Sequence, residues 1–469
     1  MKALPPSVDT IFDTFHKAGY QIYAVGGSVR DILMDRPTHG WDFTTNATPE
    51  DILKLFPDSF YDNQFGTVGI KIYDPLSFPR MRESALKQKP IPDQVGDDKV
   101  TDIYEITTYR SEKGYTDHRH PDKIQWGKSL EEDLSRRDFT INAIAFDGKA
   151  FIDPYLGQED IKNKLIRAVG DANLRIKEDA LRQMRAIRIA SELGFMIEPT
   201  TLLAIKTNAQ LITDISAERV HDELLRILAS SFASDGILLL KQTGLLNILI
   251  PELEAAFAIG QKSPERHHIY DVGTHSIMAL KNCPSPDPIV RLATLLHDIG
   301  KVPTYKLVNG IVTFYNHEMV STKLVKNILA RLKFSRKDTE KILILIRWHQ
   351  FTVDERQTDS ALRRFIRHVG KKNLTDMLAL RTGDRLGGGA AETSWRMELF
   401  KKRLEEVQKL PFTVADLKID GHDIMKELNV KPGPIIGKTL NDLFAEVEAG
   451  TLQNERETLL LRLKEIAPH

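Results

Sequence analysis

A glycine pair, an arginine and an aspartate lie close together near the start of the chain, in an order suited to phosphate chemistry. Gly26 and Gly27 separate a strand pattern from a helical pattern, so their backbone can approach a phosphate while the helix start offers free N–H groups. Arg30 adds a cation, and Asp42 lies in the next strand pattern, where its carboxylate can hold Mg²⁺ for in-line phosphoryl transfer. The stretch 24–47 therefore predicts a phosphate-binding corner beside a metal-binding strand, with an ordinary tight turn as the alternative for the glycines alone.

The metal-binding strand lacks one carboxylate that this chemistry calls for. Residues i and i+2 of a strand face the same way, so two acidic residues at that spacing can share a metal ion. Here Gly40 stands two residues before Asp42. Glu105, in a later strand pattern, is the candidate for a second carboxylate from a neighbouring strand. A helix-capping aspartate and an exposed strand glutamate are the alternatives for Asp42 and Glu105 taken singly.

An arginine pair suits a nucleotide, and a second charged group shares one helix face. Arg136 and Arg137 precede the apolar stretch 141–146, and forked guanidinium donors match the oxygens of a triphosphate. A charged strand entrance is the alternative. Asp179, Arg182 and Arg185 lie three residues apart in a helical pattern, so they would share a helix face and project into one cleft. A solvated helix with internal salt bridges is the alternative there.

Histidines and aspartates recur at the ends of helical patterns in the middle of the chain. An adjacent His-Asp pair at the end of an apolar helix, with histidines from other helices, can converge on a divalent metal and activate water for phosphoester hydrolysis. The set resembles the HD-domain phosphohydrolases; the alternative for each histidine is a hydrogen-bonded core residue. The predicted metal ligands are His275, His297, Asp298 and Asp384, and His317 and His349 are candidates for a second metal site.

The residues before about 150 alternate between strand and helix patterns, which predicts an α+β head with a small mixed sheet. A proline- and charge-rich stretch, 74–100, is most simply a solvated hairpin extension. The predicted strands are 21–25, 41–45, 67–73, 101–109 and 141–146, and the predicted helices are 8–18 and 49–56.

Downstream of Gln158 helical patterns replace strand patterns, which predicts a mainly α-helical body and tail. A segment with two prolines and a histidine pair marks a boundary near 251–266. The expected domains are 1–150, 151–250, 251–410 and 411–469. The predicted body helices are 178–193, 218–229, 236–249, 272–280, 288–296, 318–332 and 338–348.

Composition limits the class of protein. The 469 residues carry 65 basic and 65 acidic side chains, so a nucleic-acid site must be a local basic face of a neutral molecule. The single cysteine, Cys283, excludes an intrachain disulfide framework. We expect a cytoplasmic protein without a membrane span, because the start carries no signal-peptide pattern and apolar runs stay short of about 18 residues.

Several motifs in a fixed order identify a family. The chain resembles the class II tRNA nucleotidyltransferases, which are the CCA-adding enzymes, and their relatives the bacterial poly(A) polymerases. The resemblance is dense over residues 20–250 and returns in the tail. The motifs are GGSVRD, WDFTTNATPED, EITTYR, YTDHRHP, DLSRRDFTINAIAFD, DPYLG, EDALRQMRAIR, IDGHDIMKELNVKPGPIIGKTLNDLF and GTLQNERE.

The resemblance implies a nucleotidyltransferase head that uses Mg²⁺ and adds C, C and A to tRNA 3′ ends from CTP and ATP, and a monomer or a homodimer. Gly27, Arg30 and Arg137 would hold the triphosphate. Asp179 and Arg182 would read the base edge, with Arg185 and Arg188 farther along the helix. The tail would contact the tRNA by shape, as expected for A-form RNA.

Two motifs favour CCA addition over poly(A) synthesis from ATP alone. The run YTDHRHP resembles the loop of enzymes that incorporate the terminal A, and EDALR is closer to the CCA-adding form than is EDPVR. Gly40 departs from the family, since it stands where the first metal-binding aspartate belongs. We therefore expect the chain to bind nucleotides but to transfer slowly, because a lost ligand weakens charge stabilisation. A third reading is an RNA-binding or HD-hydrolase protein with a defective transferase site.

Overall fold

The computed structural model describes residues 4–38, 40–62, 66–73, 100–113, 123–126, 129–261, 270–351, 354, 356–408 and 414–466. Two compact units divide the chain, Met1–Pro251 and Glu252–His469. Each unit is described by itself below. Within the described ranges, no helix is both long enough and apolar enough to cross a membrane.

The first unit is built on β-strands in its amino-terminal part. The strands are β1 (Ile22–Val25), β2 (Asp42–Thr45), β3 (Ser59–Asp62), β4 (Thr67–Tyr73), β5 (Val100–Thr108), β6 (Arg110–Lys113), β7 (Lys123–Trp126), β8 (Ala145–Phe146), β9 (Phe151–Ile152), β10 (Leu165–Ile166) and β11 (Met196–Ile197). Seven of them form one sheet in the order β3-β4-β5-β2-β1-β8-β9. The pairs β6-β7 and β10-β11 form two small separate sheets.

The seven-stranded sheet is mixed. β1 pairs antiparallel with β2, whereas β2 pairs parallel with β5. Asp42 begins β2 and lies in register with Val25 on one side and with Glu105 on the other. Since β1 ends at Val25, the turn that follows it lies beside the start of β2. The topology thus brings the predicted glycine corner and both predicted carboxylates to one end of the central strands.

Helices cover this sheet and continue through the rest of the unit. They are α1 (Pro6–Lys17), α2 (Gly27–Leu33), α3 (Pro49–Leu55), α4 (Leu130–Ser135), α5 (Gly157–Asn163), α6 (Ala172–Glu178), α7 (Arg182–Leu193), α8 (Pro199–Thr207), α9 (Ala217–Ala229), α10 (Ala233–Gln242) and α11 (Leu245–Leu249). In α1 the apolar residues Ile11, Phe12 and Phe15 are buried in one cluster with Phe43 and Phe146 of the sheet. Fully burying one such side chain stabilises the fold by about 1.5–3 kcal/mol.

Three predicted elements of the first unit are wrong in extent. The stretch 141–146 is a 3₁₀ turn (Thr140–Asn142) before the short strand β8, because Asp138 accepts hydrogen bonds from the Phe139 backbone and the Asn142 side chain. The predicted helix 178–193 begins only at Arg182, as α7, since Asp179 is extended and accepts from the Leu181 N–H. The predicted helix 236–249 breaks at Gly244, whose φ is +82°.

The second unit is mainly helical. Its helices are α12 (Pro251–Ala256), α13 (Val272–Lys281), α14 (Pro288–Leu296), α15 (Lys301–Thr304), α16 (His317–Arg331), α17 (Arg336–Trp348), α18 (Asp359–Val369), α19 (Leu374–Gly387), α20 (Trp395–Gln408), α21 (Gly421–Leu428), α22 (Pro434–Glu448) and α23 (Arg456–Ile466). A hairpin absent from the prediction, β12 (Lys306–Val308) and β13 (Ile311–Thr313), precedes α16. The last three helices share a small buried cluster that includes Ile424, Leu443 and Leu463.

The predicted fold class, a small mixed-sheet α+β head followed by a mainly helical body and tail, is confirmed. The strands predicted at 41–45, 67–73 and 101–109 lie within one residue of β2, β4 and β5 at each end. Of the predicted hairpin extension, 74–99 lies outside the described residues, and the flanking strands β4 and β5 pair antiparallel. The whole motif YTDHRHP and the histidine pair near 267 also lie outside them.

Candidate functional site

The glycine corner and Asp42 meet at atomic distance in the first unit. Gly26 has φ +78°, a conformation that favours glycine. A Cβ atom at Gly26 would lie 3.3 Å from Asp42 Oδ2 and 3.5 Å from Arg137 Nη1. The corner, the acidic residue and the arginine predicted from three separate motifs therefore belong to one site.

The Asp42 carboxylate faces a cavity of about 550 Å³. Its side chain is open to solvent, yet the surrounding protein raises the pKa of the carboxyl by desolvation, and the charges of Arg137 and Arg185 only partly oppose that effect. A bound cation would supply the missing compensation. Glu105, the parallel register partner of Asp42, is also exposed. Oxygen ligands of this kind suit Mg²⁺.

Residues from the corner and from α7 line the same cavity. Gly27, Arg30 and Asp42 contribute from the sheet side, and Arg185 and Arg188 contribute from α7. Gly40 also lines it. Its φ is +69°, and a Cβ atom there would meet no described atom within 4 Å.

A chain of hydrogen bonds connects the corner to α7. Arg30 Nη1 donates to Asn142 Oδ1 at 3.0 Å, and Asn142 Nδ2 donates to Asp138 Oδ1 at 3.1 Å. Arg185 donates to Asp138 Oδ2 through Nε at 2.9 Å and through Nη2 at 2.6 Å. Asp31 accepts from Arg30 as well, at 2.9 Å. Two arginines of the cavity are thus oriented before any nucleotide binds.

Asp138 is the buried centre of that chain. Burial alone would raise the pKa of its carboxyl, but the charge and hydrogen bonds of Arg185, together with the Asn142 amide, hold that pKa well below the usual range. The Asp138 charge in turn raises the pKa of Arg185. The pair is therefore ionised at neutral pH.

The second unit brings six predicted side chains into one buried cluster. His275 Nε2 lies 3.2 Å from Asp384 Oδ1 and 3.4 Å from Asp298 Oδ2, and His297 Nε2 lies 3.3 Å from Asp298 Oδ2. On the other oxygen of the same aspartate, Asp298 Oδ1 lies 3.1 Å from His317 Nε2 and 3.6 Å from His349 Nε2. Asp298 therefore stands between two candidate metal-binding groups, one on each carboxylate oxygen.

Three of the histidines present the same nitrogen for the same reason. The Nδ1 atoms of His297, His317 and His349 lie 2.7–2.9 Å from the backbone carbonyl oxygen three residues earlier. A carbonyl only accepts, so Nδ1 carries the proton and Nε2 is directed toward Asp298. The buried His317 Nε2 makes no hydrogen bond to any described residue, although it lies 3.1 Å from the carboxylate. That arrangement suits two ligands of one ion.

The aspartates and histidines of the cluster shift one another's pKa values. Burial would lower the pKa of His297, but Asp298 and Asp384 raise it to about 10. His349 differs, because burial and the charge of His297 lower its pKa. Binding a metal at His297 must therefore displace a proton.

Glycines and a lysine, none of them predicted as site residues, hold the cluster in place. A Cβ atom at Gly387 would lie 2.5 Å from Ala279 N, and one at Gly383 would lie 2.6 Å from Ala279 O, so only glycine lets α19 approach α13 this closely. That approach sets Asp384 against His275. Lys301 Nζ contacts Asp298 Oδ2 at 2.6 Å and donates to Gln261 Oε1 at 2.7 Å. In the sequence, this lysine is marked only by its place in the run HDIGK, residues 297–301, which begins with the predicted His-Asp pair.

Comparisons with known proteins assign three parts of the chain. Residues 22–167 match the poly(A) polymerase head domain, residues 194–257 match the RNA- and SrmB-binding site of polymerase A, and residues 311–463 match the tRNA nucleotidyltransferase domain 2. The CCA-adding enzyme of Ligilactobacillus salivarius is 31% identical over 468 residues, which is 99% of this chain and 96% of that enzyme. The chain belongs to the CCA-adding enzyme family.

Two further similarities place the chain within that family of nucleotidyltransferases. The A-adding tRNA nucleotidyltransferase of Deinococcus radiodurans is 35% identical over 351 residues, covering 70% of this chain and 78% of that enzyme. The crystal structure of the Bacillus stearothermophilus CCA-adding enzyme in complex with CTP aligns with a TM-score of 0.67 and 27% identity, over 98% of both chains. The match at that coverage extends the family relationship to both units.

One geometric prediction for this family member is wrong. Asp179 does not share a helix with Arg182 and Arg185, because it lies before α7 and is held by Arg219 at 3.3 Å. Arg182 begins α7 but donates to Glu178 Oε2 at 2.8 Å and to the Arg136 carbonyl at 3.0 Å. Asp179 and Arg182 are not among the residues that line the cavity, whereas Arg185 is.

The remaining arginines are engaged differently. Arg137 donates to the buried Asp133 at 3.2 Å and keeps its Nη1 beside Gly26. Arg188 is buried and donates to Glu223 at 2.6 Å and to Glu192 at 2.9 Å. The sequence predicted neither Asp138 nor Asn142 as a site residue, although both lie in the quoted motif SRRDFTINAIAFD.

Proposed function

We propose that this chain adds C, C and A to the 3′ end of tRNA from CTP and ATP, without a nucleic-acid template and with Mg²⁺ at the head cavity. The observation that carries the proposal is the meeting of the glycine corner and Asp42 at one cavity, with Glu105 beside Asp42 in the sheet register, in a chain of the CCA-adding family. The crystal structure of the B. stearothermophilus relative in complex with CTP supports the choice of nucleotide.

The reaction is a phosphoryl transfer. The 3′-hydroxyl oxygen of the RNA bonds to the α-phosphorus of the nucleotide, the bond from that phosphorus to the bridging oxygen breaks, pyrophosphate leaves, and the hydroxyl proton passes to solvent. Mg²⁺ held by Asp42 and Glu105 would stabilise the charge that develops on the phosphate oxygens. Gly27, Arg30 and Arg137 would hold the triphosphate at the corner.

Recognition of the base falls to the α7 side of the cavity. Arg185 lines it with its guanidinium oriented by Asp138, and Arg188 lies one turn farther along. For Asp179 and Arg182 to read a base edge, their present contacts with Arg219 and Glu178 must be exchanged. Base reading by these two residues stays a prediction, as do the monomeric or dimeric state and the cytoplasmic location.

A tRNA that ends before its CCA tests the proposed function directly. With Mg²⁺, we expect CTP to add two residues and ATP to add one residue to the product. A poly(A) polymerase would instead incorporate only ATP, and repeatedly. A defective transferase would bind nucleotide and extend nothing. Denaturing gel analysis with CTP alone, ATP alone and both nucleotides separates the three outcomes, and either of the last two contradicts the proposal.

Replacing Gly40 by aspartate should raise the rate of transfer by about 10- to 100-fold, because it adds a second carboxylate to the cavity that Gly40 and Asp42 both line. The site has room for the side chain, and aspartate adopts positive φ more readily than most residues. The measurement is the single-turnover rate of CMP incorporation. CTP affinity should change little.

Gly170→Asp is the matched control, since Gly170 has φ +67°, lies in the same unit, and has the same open space without lining the cavity. It should leave the rate unchanged. A rate unaffected by Gly40→Asp would show that the missing carboxylate does not limit transfer.

The histidine cluster of the second unit supports a second function, metal-dependent phosphoester hydrolysis, as in the HD-domain phosphohydrolases. Two buried ligand groups share Asp298, and their nitrogen and oxygen donors suit a divalent transition metal. The metal would act as a Lewis acid on the phosphate and activate the attacking water. That water bonds to phosphorus, the P–O bond to the ester breaks, and the alcohol leaves with a proton.

Asp298→Ala should reduce phosphatase activity to the level of the metal-free protein, because it removes the one residue common to both ligand groups. The measurement is Mn²⁺-dependent release of phosphate or of the alcohol from a nucleoside phosphate. Transferase activity of the same preparation serves as the control for folding. Phosphatase activity that is equal in the wild type and the variant would remove this second function.

A further inference from the structure

A cavity in the second unit is lined both by the histidine–aspartate cluster and by an aromatic side chain with no assigned role, Tyr315. Tyr315 is 75% exposed and lies between strand β13 and helix α16. In the described part of the chain, no hydrogen bond or ring contact joins Tyr315 to another residue. Its ring is therefore open to a ligand that occupies the cavity.

The cavity is larger than a phosphate group requires. Its volume is about 700 Å³, within the range of about 300–1,000 Å³ typical of small-molecule sites. Asp298, His317, His349 and Asp384 line it on the side of the metal cluster. A phosphate held by the cluster would leave most of the volume for the rest of a substrate.

The lining of the cavity has the chemistry of an anionic, partly aromatic ligand. Three cationic side chains face three acidic ones among the lining residues, so any bound divalent ion would make the cavity net positive. Asn316 and Gln350 contribute amide groups, which can both donate and accept hydrogen bonds. An aromatic ring supplies a stacking surface for any nucleobase.

Tyr315 and His317 lie at neighbouring positions on the wall of this cavity. Tyr315 lies two residues before His317, so their Cα atoms are at most two steps of about 3.8 Å apart. His317 points its Nε2 toward Asp298, while the ring of Tyr315 extends into solvent. Both side chains line the same cavity, so one ligand in it can contact both.

We propose that Tyr315 is the base-stacking residue of this cavity, which takes a nucleoside phosphate, free or at the 3′ end of an RNA, with its base on the Tyr315 ring and its phosphate at the histidine–aspartate cluster. This inference rests on the proposed hydrolase function of the cluster. It makes Tyr315 a determinant of substrate preference and gives it no part in bond breaking.

The test compares two phosphomonoesters that differ in having a base. The Mn²⁺-loaded full-length chain is assayed with adenosine 3′-monophosphate and with glycerol 2-phosphate, as wild type, Tyr315→Ala and Tyr315→Phe. Tyr315→Ala should raise KM for the nucleotide by about 10- to 100-fold with kcat within about twofold, because a stacked ring contributes ground-state binding. Tyr315→Phe should resemble the wild type, and glycerol 2-phosphate should be hydrolysed equally by all three.

Equilibrium binding separates a failure of this inference from a failure of the hydrolase function. Calorimetry measures adenosine 3′-monophosphate binding to the Mn²⁺-loaded protein, and Asp298→Asn defines the part that depends on the cluster. Tyr315→Ala should weaken that part by about 10- to 100-fold even if the wild type hydrolyses neither ester, an outcome that would discard only the hydrolase function. A short RNA with a 3′-phosphate, run in parallel, assigns the source of the nucleotide by its tighter or weaker binding.

Two results would overturn the inference. One is an equal effect of Tyr315→Ala on both esters, which would mark a structural role for the side chain. The other is cluster-dependent nucleotide binding that is absent from the wild type or unchanged in Tyr315→Ala. Because Tyr315 is exposed, neither variant should lose its fold, and transferase activity checks this in each preparation.

Discussion

The ion pair between Asp138 and Arg185 organises the head cavity. One carboxylate oxygen of Asp138 accepts from Arg185 on α7, and the other accepts from Asn142, whose own oxygen accepts from Arg30 beside the glycine corner. A buried carboxylate that loses such partners is costly to keep in a fold, so this one fixes the groups around it. The guanidinium groups on both sides of the cavity are oriented by the same residue.

Asp42, which lines the same cavity as Arg185, differs from Asp138 in its surroundings. No arginine forms an ion pair with it among the described residues, burial by its surroundings raises the pKa of its carboxyl, and it opens onto the cavity. Asp298 in the second unit also belongs to a candidate metal site, since each of its two oxygens faces histidine nitrogens. Both carboxylates face groups that suit a bound cation, although Lys301 already pairs with one oxygen of Asp298. The difference is that Asp298 is supported by five other candidate ligands, whereas Gly40 leaves Asp42 with Glu105 alone.

Local patterns predicted most of the elements, and motif spacing predicted which residues meet. The strands around Asp42 and Glu105 followed from alternation and β-branched residues, and the cluster residues followed from histidines at helix ends. The predictions failed where an aspartate forms local hydrogen bonds. Asp138 turns a predicted strand into a 3₁₀ turn, and Asp179 delays the start of a predicted helix. The contacts of Gly387 with Ala279 and of Lys301 with Gln261 could not be predicted, because they depend on how closely two distant segments approach.

The most direct test of the account is the single-turnover rate of CMP incorporation by Asp42→Asn, measured beside its affinity for CTP. The substitution keeps the shape of the side chain and removes the charge that would hold the metal ion. The account predicts that the rate falls at least about 100-fold while the Kd for CTP stays within a few-fold. A rate equal to that of the wild type would contradict the claim that transfer depends on the Asp42 carboxylate at the glycine corner.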